Sequence, residues 1–126
     1  MKANPSVGSS SECHCSSIGK CLLAFGRDVD LSVYEAHPLS VYTEYTISTV
    51  EKLKEELQDV REKGYAIDRE ELELGLTCIG APILDRSGHA IAAISLSGPK
   101  SRMLAGDFCE RVRAVTEAAR KISANF

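Results

Sequence analysis

Apolar positions along the chain recur with two different periods. Over residues 49–63, Val50, Leu53, Leu57 and Val60 repeat at three and four, which puts them on one stripe of an amphipathic helix. Ser48 and Glu51 have capping-box spacing at its start, and Gly64 supplies the C-terminal stop. The last segment follows the same grammar. Leu104, Phe108, Val112, Val115, Ala119 and Ile122 line one face, Asp107 and Glu110 box the start, and Glu110, Arg113, Glu117, Arg120 and Lys121 take the polar side. A shorter helix is expected over residues 16–25, opened by Ser16 and Ser17 as candidate caps, with Cys21, Leu22, Leu23 and Phe25 inward. Another is expected over residues 31–36.

Between the helices the pattern becomes extended. Residues 76–84 and 89–97 are apolar runs joined by Asp85-Arg86-Ser87-Gly88, which predicts a β-hairpin, and a short strand over residues 65–68 precedes it. With residues 85–88 as a four-residue loop, Cys78 lies opposite Ser95; with Ser87-Gly88 as a two-residue loop, it lies opposite Ser97. Either way Cys78, Ser95 and Ser97 share one face, because opposed residues point to the same side and side chains alternate. A three-residue loop breaks that parity unless a bulge restores it.

These polar groups interrupt strands otherwise made of residues such as Ile79, Ile83, Ile94 and Leu96, and a buried hydroxyl without a partner costs about 1–3 kcal/mol. A carboxylate or carbonyl ligand would satisfy them. So would bonds between the serines, to backbone or to water, with Cys78 as a small core residue. At the start of the first helix, Ser16-Ser17-Ile18-Gly19-Lys20 offers unpaired N–H groups and a positive dipole end to an anion, with Gly19 permitting close approach. The plain alternative there is an ordinary capped helix with a solvated Lys20. Asp68, followed by Glu70, Glu71 and Glu73, heads an acidic run that reads mostly as solvated loop, although its carboxylate can bond a ligand hydroxyl or orient a serine.

Composition narrows the function classes. A chain of 126 residues, 44% hydrophobic and 26% charged, fits one domain, with residues 1–13, rich in Ser, Gly and Pro, as a linker and residues 14–126 as the folded unit. Lys and Arg total 15 against 18 Asp and Glu, and this net charge of −3 disfavours direct contact with nucleic acid. No apolar run reaches membrane length and no signal-peptide order appears, so the expectation is a cytoplasmic protein with no membrane partner. Five cysteines form an odd set, expected to be reduced thiols. Cys13-His14-Cys15 lacks the second ligand pair that a structural zinc needs. Nothing places His14, His37 or His89 beside Cys78 as a catalytic base. No metal, cofactor or catalytic residue is expected.

Four blocks carry a resemblance: residues 14–20 (HCSSIGK) with Leu22-Leu23-Ala24, residues 61–71 (REKGYAIDREE), residues 74–82 (LGLTCIGAP), and residues 92–99 (AAISLSGP) with Ser101-Arg102. Their order and spacing closely resemble the effector-binding domain of the IclR family of bacterial transcription regulators, from about His14 to the end of the chain. The resemblance implies an α+β, GAF-like fold, an antiparallel β-sheet flanked by helices, with a pocket for a small organic acid effector. It implies a homodimer or homotetramer, and DNA binding only through a winged helix-turn-helix that this stretch does not encode. The first strands of the effector domain are likewise expected to be missing. The family's contact pattern falls on Asp68, Cys78, Ser95 and Ser97, with backbone at Ser17 and Ile18, two residues larger than those common there. In this reading Ser95, Ser97 and the Ser17 and Ile18 amides hold a carboxylate, while Cys78 and Asp68 shape the far end. The rival readings are a cysteine-dependent GAF-like reductase or redox sensor acting through Cys78, and a plain dimerisation module.

Overall fold

The computed structural model describes residues 13–36 and 38–126. The expected linker and His37 lie outside these residues, except for Cys13, which opens a 3-10 turn, Cys13–Cys15. Helix α1, Ser17–Phe25, follows, with the Ser16 hydroxyl accepting the Gly19 N–H at 3.0 Å. Its buried stripe is Ser17, Lys20, Cys21 and Ala24, spaced i, i+3, i+4 and i+7; Leu22, Leu23 and Phe25, expected inward, are only half-buried. The next helix, α2, is a single turn at Val33–Ala36 that buries Tyr34.

Helix α3, Val50–Lys63, starts one residue later than capping by Ser48 requires. Thr49 has the extended backbone of a cap residue, and its hydroxyl accepts the Lys52 N–H, the third free donor of the first turn. Leu53, Leu57 and Val60 form the buried stripe, and Gly64, left-handed at φ 86°, closes the helix by donating its N–H to Val60 O at 2.8 Å.

Strands β1 (Ala66–Arg69), β2 (Leu76–Leu84) and β3 (Ala90–Pro99) form an antiparallel sheet in the order β1-β2-β3. The hairpin joins two of the alternatives that the sequence leaves open. Asp85 donates its N–H to His89 O at 2.8 Å, leaving Arg86, Ser87 and Gly88 as a three-residue loop. Leu84 then pairs with Ala90 but Ile83 with Ala92, so Ile91 is an extra, bulged residue. The bulge restores the parity that the odd loop removes, and Cys78 pairs with Ser97. The Asp85 carboxylate accepts from the Ser87 and His89 N–H groups, and Gly88 takes the left-handed position at φ 86°.

A short helix, α4 (Lys100–Met103), precedes the last one, α5 (Phe108–Ser123). Leu104 belongs to the end of α4, and Ile122 is exposed, so the buried stripe of α5 reduces to Val115 and Ala119 with Phe108 and Val112 packed beside them. Asp107 starts α5 without a side-chain cap; its carbonyl accepts the Glu110 and Arg111 N–H groups. The sheet separates two cores. Cys21, Ala24, Leu53, Leu57, Val60 and Ala66 pack on the α1 side, and Ile79, Ala81, Ile83, Met103, Val115 and Ala119 on the α5 side.

Candidate functional site

Register decides what meets on the α1 side of the sheet. Asp68 pairs with Cys78 and Cys78 with Ser97, making one row across all three strands. Two residues along, Ala66 pairs with Gly80 and Gly80 with Ser95, making the next. Side chains in these rows point to one face. The structure therefore brings Asp68, Cys78, Ser95 and Ser97 together.

Gly80 brings the helix tip to them. A Cβ on this glycine would lie 2.9 Å from the backbone carbonyl group and the Cβ of Ser17, so only a residue without a side chain lets α1 begin this close to the sheet. Ser17 and Ile18 are the first two residues of α1, whose N–H groups have no acceptor within the helix. The Ser17 side chain is buried, whereas that of Ile18 is 38% exposed. Gly19 serves a different purpose from the expected one. A Cβ there would meet the Cys13 Cα at 2.3 Å, so its bare face admits the preceding 3-10 turn and not a ligand.

Within the first row the Ser97 hydroxyl donates to Cys78 Sγ at 3.0 Å. Burial pushes the Cys78 thiol above its ordinary range, the Ser97 donor opposes this, and the Asp68 charge adds to it. The result is a protonated thiol at neutral pH, a poor nucleophile. Asp68 is 2% exposed, and burial raises its carboxyl to about 6. The Glu71 N–H donates to Asp68 Oδ1 at 2.8 Å and acts in the opposite sense, while the Glu71 carboxylate adds to the rise. Ser95 and Ser97 are exposed, so the site is an open face and not a closed hollow. A shallow depression lies elsewhere, between α3 and β1, where Glu56, Lys63 and Arg69 line it.

Lys20 is not solvated. It is 0% exposed, and its Nζ donates to Glu56 Oε2 at 2.9 Å, Glu71 Oε2 at 2.8 Å and Ile67 O at 2.9 Å. Glu71, expected in a solvated acidic run, is 7% exposed for the same reason. Lys20 stands at i+3 from Ser17 and i−4 from Ala24 on the buried stripe, a spacing visible in the sequence, whereas the partners that let it leave water come from distant segments. Of the motif Cys13-His14-Cys15, His14 is buried with Nε2 at 2.7 Å from Ser40 O and its ring edge-on to Tyr34. Among the described residues no three His, Cys, Asp or Glu side chains converge as a metal site. Nor is any helix of those residues long and apolar enough to cross a membrane.

A family model described as the bacterial transcriptional regulator IclR C-terminal matches residues 1–124. The HTH-type transcriptional regulator BhcR of Paracoccus denitrificans is 43% identical over 117 residues, covering 92% of this chain and 42% of that protein. The crystal structure of the C-terminal domain of the Escherichia coli regulator KdgR superposes with a TM-score of 0.79 at 41% identity, covering 89% of this chain and 69% of that one. The inducer-binding domain of the Acinetobacter transcription factor PobR, a double mutant in complex with 3-hydroxybenzoic acid, superposes with a TM-score of 0.76 at 30% identity, covering 88% and 65%. The chain spans less than half the length of the curated relative BhcR. These relatives are transcription regulators and not enzymes, and the α+β fold is that of their C-terminal domains. The chain belongs to the IclR family of bacterial transcriptional regulators, as a C-terminal domain of that family.

Proposed function

We propose that this domain senses a small organic acid and thereby modulates DNA binding by a winged helix-turn-helix elsewhere in the regulator, within a homodimer or homotetramer. The observation that carries the reading is the row Asp68–Cys78–Ser97 beside Ser95, under the tip of α1. The hydroxyls of Ser95 and Ser97 and the N–H groups of Ser17 and Ile18 donate to the carboxylate of the acid. Cys78 and Asp68 contact its other end. Asp68 accepts from a hydroxyl when ionised and donates to a carbonyl when protonated, and its raised pKa keeps both forms within reach near neutral pH. The complex of the PobR domain with 3-hydroxybenzoic acid, an aromatic acid, supports a carboxylic acid as the ligand class.

The ligand acts by binding one arrangement of the oligomer better than another, the only way it can move the equilibrium that sets DNA affinity. The test is calorimetric titration of the chain with a panel of small carboxylic, 2-oxo and hydroxybenzoic acids. At least one is expected to bind, and replacing Ser95 and Ser97 together by Ala is expected to weaken it about tenfold or more, a loss of about 1.4 kcal/mol. Binding of no acid, or binding indifferent to the double replacement, overturns the proposal.

A further inference from the structure

Lys20 lies outside the ligand contacts proposed above, yet it is as buried as any side chain in the molecule, at 0% exposure. Its three ammonium hydrogens match three acceptors from three segments: Glu56 on α3, Ile67 on β1 and Glu71 in the turn after β1. Two of these bracket Asp68 in sequence. The Ile67 carbonyl directly precedes it, and Glu71 is the residue whose backbone N–H donates to its carboxylate. Lys20 itself lies on the first turn of α1, three residues after Ser17.

We infer that Lys20 is a positioning residue for the ligand face: one side chain ties the amide-bearing first turn of α1 to the two residues that flank and hold Asp68, bonding the Ile67 carbonyl and the carboxylate of the Glu71 whose N–H donates to Asp68. The inference rests on the ligand reading given above. The groups that face Asp68 are the Lys20 cation from α1, the Glu71 carboxylate from the turn and the Cys78 thiol from β2, with Glu56 of α3 reached through Lys20. One cation thus pairs with two carboxylates, Glu56 and Glu71, in a neighbourhood that also holds the Asp68 carboxyl. Glu71 also holds one carboxylate oxygen, Oε1, buried without a hydrogen-bond partner, so negative charge is in excess here. Asp68, next to the ligand, is the group able to relieve that excess by taking a proton when a carboxylate binds.

The test uses the chain and its Lys20→Met, Lys20→Arg, Glu71→Gln and Asp68→Asn variants. Two readouts are needed: carbon-13 NMR titration of the Asp68 carboxyl, assigned by its loss in Asp68→Asn, and calorimetry with 3-hydroxybenzoate and pyruvate below and above pH 6. Losing the cation in Lys20→Met is expected to move the Asp68 midpoint up and to weaken the bound probe about tenfold. Losing the Glu71 charge in Glu71→Gln is expected to move the midpoint down, and Lys20→Arg to restore it toward the parent value. A folded Lys20→Met chain with lowered thermal stability but an unchanged midpoint and affinity overturns the role. Should that variant fail to fold, an unchanged midpoint in Glu71→Gln does so. Binding of neither these probes nor any other acid of the panel by the parent chain overturns the ligand face together with this role, whereas an unchanged midpoint overturns the role alone.

Discussion

The two faces of the sheet are made by alternate residues of the same three strands, yet they solve opposite problems. On the α5 side, Ile79, Ala81 and Ile83 are buried under Met103, Val115 and Ala119, and the face is filled by hydrocarbon. On the α1 side, the intervening positions carry Asp68, Cys78, Ser97 and Ser95, and the tip of α1 comes close at Gly80. One face contributes stability through packing; the other gives up apolar burial to display polar groups. The period of two in a strand is what lets one hairpin do both.

This contrast predicts different consequences for neighbouring substitutions. The largest effect belongs to the filled face: Ile79→Ala is expected to lower unfolding free energy by about 2–5 kcal/mol in chemical denaturation, with the Asp68 titration unchanged. A shift of that titration would show the faces to be coupled.

Asp68→Asn is expected to act in the other direction. The carboxyl titrates at about 6 in the folded chain against an ordinary value of 3.8, so the folded state holds its proton more tightly and stability falls as pH rises between those values. Above that window the penalty is complete, and removing it stabilises by up to about 3 kcal/mol. The stabilities of the two chains from denaturation curves are expected to converge below pH 3.8, separate between pH 3.8 and 6, and stay apart by a constant amount above pH 6.

Gly80→Ala is expected to cost about 1–3 kcal/mol, because the new methyl group meets the Ser17 backbone and α1 must move away. The same change is expected to weaken any bound carboxylate, which calorimetry would detect. Smallest of all, Ser97→Ala removes a donor to Cys78 from an exposed position and is expected to change stability by less than about 0.5 kcal/mol. Its effect on stability and its effect on ligand affinity are therefore expected to separate. A large loss of stability would show Ser97 to be a packing residue.

Local rules were legible to different depths. The periodicity of α3 and the left-handed closure at Gly64 could be read directly, because a helix of fourteen residues with a regular stripe leaves few alternatives. Its cap shifted from Ser48 to Thr49 because adjacent hydroxyls compete for the same N–H groups and the entering backbone decides between them. On α5, periodicity overcounted: Ile122 fits the stripe but lies beyond the reach of the sheet, where it is exposed. The candidate site divides similarly. Pairing parity put Cys78, Ser95 and Ser97 on one face, but the pairing of Cys78 with Ser97 depended on a bulge at Ile91 that no turn residue announces.

By itself the sequence determined which residues alternate, where helices stop, and hence which polar groups share a face, because these follow from backbone geometry within a few residues of each position. Only the tertiary structure decided that Lys20 is buried, that Glu71 leaves water with it, and that Gly80 rather than Gly19 receives the helix tip against the sheet. The reason is physical. Whether a charge can leave water depends on partners from segments 36 to 51 residues away, and a close approach depends on which backbone arrives. Neither is a property of the local chain.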